Sequence, residues 1–206
     1  MDMAITFDSN GKNEIFFVDG AESILRDVHF DALTSASAHF LKSFNVRHEV
    51  DVYISKRSEL ESIVARTRAY HMPPSFDREN SIVCVFLNPD SSLEQMIVSL
   101  AHEMIHVWQV ERGDLVGSLW KGHDLRAVPY EMRPWELEAF GSQEEVAKWF
   151  FEARHPSQSE LQVIRDRTDQ AFNEIVQGIA KNDMKKKLAS AAKIAGAIGI
   201  GALIGL

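Results

Sequence analysis

The sequence predicts an α+β domain in which a small mixed sheet packs on one buried helix, with further helices toward the C-terminus. Three observations predict it. Short β-rich runs fill the first half of the chain and runs of helical period fill the second. One helical run, 93–112, is apolar over a broad face and carries the pattern His-Glu-x-x-His. The 206 residues are 45% apolar, enough for one sizeable core.

The elements follow in order. Residues 3–7 and 14–18 are apolar runs on either side of the turn-rich Asp8–Lys12, and they predict a hairpin or two short strands. From Ile24 to Phe44, apolar residues recur at helical spacing, which predicts an amphipathic helix over 22–44. His29 and His39 have no ligand-spaced partner there and read as surface or core-edge residues. Residues 48–54 alternate with period two and predict a strand. A short helix at 58–65 and a strand at 67–71 follow, before Pro73-Pro74 breaks regular structure. Ile82–Leu87 is β-rich and is closed by the turn Asn88-Pro89-Asp90. Ser91 or Ser92, with Glu94 or Gln95, forms a capping box for the helix that ends at Gly113. Pro134 suits the first turn of a further helix that runs to Phe151.

Charge and cysteine content narrow the function. The formal charge is −8, and five lysines and one aspartate from Lys181 onward leave residues 1–180 at −12. An acidic body gives no support for nucleic-acid binding. The single cysteine, Cys84, excludes an intramolecular disulfide, agrees with a reducing compartment and reads as a small core residue. The first residues lack a basic segment and a long apolar segment, so no secretory signal and a cytoplasmic location are expected.

The chemistry lies in Ser99–Gln109. His102 and His106, four residues apart on a helix, project from one face about one turn apart and reach one metal ion. Glu103 is placed to act as general base on a metal-activated water. A catalytic zinc wants a third protein ligand and an open position. Three residues compete for that place: Glu136, its neighbour Glu138, and His123 in Trp120-Lys-Gly-His123.

This helix–loop–helix arrangement over roughly 80–150 resembles the zincin metallopeptidases. Glu136-Leu-Glu-Ala139 resembles the third-ligand helix of gluzincins, which implies Glu136 as ligand and Ala139 as the small residue that lets the helices approach. The family often carries an aspartate four residues after the glutamate, and this chain has Phe140. Gly122-His123 resembles the SprT-like group, which implies His123 instead, although the zinc ribbon often found there has no counterpart. The phrase from Trp120 to Ala139 is also similar to small HExxH proteins of phages and bacteria. The resemblance implies a zincin-like fold, a Zn²⁺ cofactor and hydrolysis of a peptide or protein substrate. It further implies that the strand before the active-site helix lies at a sheet edge and pairs with an extended substrate. Tyr130 is a candidate oxyanion donor, although an ordinary core tyrosine is the commoner role. Trp108, Trp120, Trp135 and Trp149 read as core.

The domain is expected to span 1–155, followed by an amphipathic helix over 156–181 and a tail over 182–206. In the tail, Lys185-Lys-Lys187 precedes an apolar Gly/Ala-rich run whose uninterrupted part, Ile194–Leu206, has 13 residues. As helix that is about 20 Å against a hydrocarbon core of about 30 Å. Residues 185–206 are therefore a candidate contact for a membrane surface or a protein partner, equally weighed against a plain Gly/Ala-rich tail. The alternative to a peptidase is a catalytically idle zincin fold with a structural or membrane-interacting role, as in a phage particle.

Overall fold

The computed structural model describes residues 3–6, 14–18, 25–47, 49–56, 68–69, 80–87, 91–117 and 119–203, and in most strands and beyond 181 it describes the backbone alone. The β-rich first half forms a mixed sheet from β1 (Met3–Thr6), β2 (Glu14–Val18), β3 (Glu49–Lys56), β4 (Arg68–Ala69) and β5 (Asn80–Leu87), in the order β1-β2-β3-β5-β4. β1 and β2 pair antiparallel, β2, β3 and β5 run parallel, and β4 returns antiparallel on β5. A parallel step from β2 to β3 needs a long crossover, and α1 (Asp27–Ser43) supplies it. The expected helix at 58–65 and the side chain of Cys84 lie outside what is described.

The resemblance places the strand before the active-site helix at a sheet edge, and the structure does not. β5 is interior, with β3 on one side and β4 paired to Val83 and Cys84 on the other. Among the described residues, β4 is the outermost strand on that side.

The helix that carries His102, Glu103 and His106 is α2 (Leu93–Glu111). Ser92 caps it, its hydroxyl accepting from the Gln95 backbone N–H while the Gln95 side chain accepts from the Ser92 backbone N–H. Arg112 closes the far end, and Gly113 follows with φ +74°, a left-handed conformation open to glycine at little cost. Every residue from Leu100 to Gln109 is buried. α1 and α3 (Pro134–Phe151) pack against α2, and the helix also touches β5 and β4. The main core joins Ile15, Val50 and Val52 from the sheet to Phe40 of α1, Met104 of α2 and Trp149 of α3. Ala139 is fully buried, as close approach of α3 requires.

Between α2 and α3 lies a three-stranded meander with no counterpart in the sequence expectations: β6 (Leu115–Val116), β7 (Leu119–Trp120) and β8 (His123–Asp124). Trp120 pairs with His123 across the two-residue turn Lys121-Gly122, and both turn residues have positive φ (+48° and +81°). That combination matches the right-handed strand twist. The meander feeds a second core of Leu115, Trp120, Leu125, Val128, Trp135 and Phe172. All four tryptophans are buried.

α4 (Gln158–Leu203) is one continuous helix of 46 residues, about 69 Å long at 1.5 Å per residue. The expected division at 181/182 is therefore a change of composition and not an end of helix. Leu161, Ile164, Thr168 and Phe172 are buried against the domain, whereas residues 177–181 are exposed. Among the described residues, no helix is long and apolar enough to cross a membrane.

Candidate metal centre

The four-residue spacing on α2 sets the His102 and His106 rings 5.0 Å apart, centroid to centroid. α3 starts at Pro134, so its first turn delivers Glu136 across the gap between the helices. Oε2 of Glu136 lies 3.5 Å from Nε2 of His102 and 3.7 Å from Nε2 of His106. Donor atoms bound tetrahedrally at about 2.1 Å stand about 3.4 Å from one another, so this spacing suits a single small cation. One donor atom from each of the three residues falls within 4.8 Å of the others, and all three residues are buried. Oε2 of Glu136 accepts no hydrogen bond. A buried carboxylate oxygen without a donor is costly unless something positive fills the gap. Two imidazoles and one carboxylate are a donor set of the kind that can hold a metal ion.

Electrostatics knit the group together. Burial presses the Glu136 carboxyl upward, but His102, His106 and Tyr130 outweigh it and hold the group down at about 2. Burial works against the His106 imidazolium, but Glu136 and Glu103, helped by Gln109, outweigh it and push the ring up to about 9. Glu103 is fully buried, with Oε1 3.8 Å from Nε2 of His102. It faces the same gap as the three donors.

The outer nitrogens of both rings are engaged by amides. Nδ1 of His102 donates to Oε1 of Gln143 at 2.9 Å, and Nδ1 of His106 donates to Oε1 of Gln109 at 2.8 Å. Gln143 stands seven residues after Glu136 on the same face of α3. Phe140 is half-exposed and lies against His102, ring centroids 4.5 Å apart.

The other two candidate ligands are employed elsewhere. Oε2 of Glu138 accepts from Gln109 at 2.8 Å and from Arg112, and its Oε1 accepts from the Thr168 hydroxyl at 3.2 Å. Glu138 thus supports the site from behind, and is not one of the grouped donors. His123 is exposed on β8, its ring 5.3 Å from that of Phe172, and is likewise outside the group. Tyr130 stands on a 3-10 turn, Tyr130–Met132, directly before α3, close enough to act on Glu136. Sequence reasoning missed Gln109, Gln143, Arg112 and Thr168. The signal for the two glutamines was helical spacing, three residues from His106 and seven from Glu136.

Comparison with protein-family models, with curated proteins and with solved structures finds no match for this chain.

Proposed function

We propose that the chain is a zinc-dependent peptidase whose metal is held by His102, His106 and Glu136 and whose general base is Glu103. The observation that carries the reading is the buried three-donor group of these residues, with Glu103 one residue along the same helix. A bound Zn²⁺ supplies Lewis acidity that brings the pKa of a water to about 7 and polarises a carbonyl. With the metal bound, the Glu103 carboxylate would be the group that accepts a proton from the attacking water and returns it to the leaving amine. Its burial keeps bulk water from competing for that proton. Gln109 and Gln143 hold the two imidazoles with their Nε2 atoms toward the gap. Tyr130 hydrogen-bonds to Glu136, and turning its hydroxyl from that carboxylate toward a substrate oxygen would make it an oxyanion donor. Extended substrate pairs with the outer edge of β4, since β5 is covered there.

Zinc analysis of the purified chain combined with Glu103→Gln tests this. The variant should keep its zinc and lose cleavage of a broad peptide library by a factor of about 10² to 10⁴. A chain that takes up no zinc defeats the reading.

One observation favours a second reading, an idle fold with an interaction role. α4 leaves the body after Val176 and continues through the lysine-rich and apolar tail. Zinc bound without Glu103-dependent cleavage supports it.

A further inference from the structure

We infer that Gln109 is a positioning residue that selects the metal-binding form of His106, and that Glu138 locks Gln109 in the orientation that does so. The inference rests on the metal-site reading above. Gln109 is fully buried, one turn after His106 on α2. Its Nε2 donates to the Trp135 carbonyl at 2.9 Å and to Oε2 of Glu138 at 2.8 Å. A carbonyl and a carboxylate only accept, so both demand the NH₂ end of the amide. Flipping the amide would set an oxygen against two oxygens, breaking two buried hydrogen bonds at once. The amide oxygen therefore faces Nδ1 of His106, 2.8 Å away, and that nitrogen must carry the hydrogen. A neutral imidazole has one N–H, so its lone pair is left on Nε2, the atom 3.7 Å from Oε2 of Glu136.

The lock is itself anchored on three helices. Arg112 of the α2 cap donates to Glu138 and to Asp114, and its guanidinium lies 4.0 Å over the Trp108 ring. Thr168 of α4 donates to the other oxygen of Glu138 at 3.2 Å. A buried carboxylate two residues beyond Glu136 is thus committed to an amide that never meets the metal. The support is an amide rather than a carboxylate, which leaves the ring less electron-rich and the metal more electrophilic.

The test is zinc affinity of the full chain, read by competition with a chromophoric chelator, beside thermal denaturation of the metal-free protein. Gln109→Met keeps the length but removes the acceptor, and should weaken zinc binding about 10- to 100-fold. Glu138→Leu removes the acceptor that fixes the NH₂ end of Gln109 and should weaken zinc binding in the same direction, and a folded Glu138→Leu chain within about threefold of wild type overturns the lock. Should Gln109→Met fail to fold, Gln109→Asn, which draws the oxygen back from the ring, is measured the same way with the same expectation. Folded Gln109 variants that bind zinc within threefold of wild type overturn the inference, as does a loss of thermal stability with unchanged zinc affinity. Wild type that binds no zinc overturns the metal site itself, so the two failures are distinguishable.

Discussion

A histidine that holds its proton to about pH 9 in the metal-free protein has to surrender it when a cation arrives, and His106 is such a residue. Its ordinary value is 6.5, so the folded metal-free state binds the proton more tightly than the unfolded chain. That stabilisation is complete below about 6.5 and is lost as pH rises through 9. Zinc affinity runs the other way: between these limits each pH unit should raise it about tenfold, because one fewer proton must leave. Chelator competition from pH 6.5 to 9 checks the slope, with His106→Gln as the control that removes the proton-linked term. A flat profile in wild type would mean that His106 is not a ligand. At this scale much was legible in the order of residues. His102, Glu103 and His106 follow from the spacing alone, because one helix carries them. The choice among Glu136, Glu138 and His123 did not follow, because it depends on how α3 and the meander are set against α2. Glu136 and Glu138 are two residues apart yet face different groups, one the histidines and the other Gln109, Arg112 and Thr168.

Between elements, a second pair of histidines joins α1 to the loop between α3 and α4. His39 stacks on His155 with centroids 4.5 Å apart, and Ser43 of α1 hydrogen-bonds Nδ1 of His155 at 2.8 Å. Burial, followed by the neighbouring His155 and more weakly Lys42, lowers His39 from 6.5 to about 4, against a raising contribution from the Arg154 carbonyl. The sign is opposite to that at His106. The unfolded chain takes up a proton near 6.5 while folded His39 remains neutral, so stability present above 6.5 drains away as pH falls toward 4. Urea titrations of wild type and His39→Phe at pH 7 and pH 5 should show wild type losing more stability on acidification. Parallel losses would show that this contact carries no proton linkage. The long elements were legible because their periodicity extends over several turns: α1, α2 and α3 all lie where apolar spacing and caps put them. The meander was not, because strands of two residues show no period and the Lys121-Gly122 turn is a weak signal. The interior position of β5 depends on β4, a partner contributed by only two residues.

Over the whole molecule, α2 and α3 supply one buried group of donors and α4 braces it through Thr168, while residues 177–181 of α4 are exposed. Composition marks residues 182–206 as different in kind, and the helix passes through that boundary unbroken. Comparing full-length chain with a chain ended at Asn182 in liposome co-sedimentation separates the roles. If the tail seeks anionic membranes, only the full chain should sediment with them; equal partitioning would rule that out. Loss of the tail should leave zinc content unchanged, because Thr168, the α4 residue tied to Glu138, lies before the cut. The claim on which everything else depends is that His102, His106 and Glu136 together hold one zinc. X-ray absorption at the zinc edge, on wild type, Glu136→Ala and Glu138→Gln, tests it directly. The expected result is about one zinc per chain, with two imidazole nitrogens and a carboxylate oxygen in wild type and Glu138→Gln, and loss or altered coordination in Glu136→Ala. A wild-type chain without zinc, or a coordination sphere indifferent to Glu136, would contradict it.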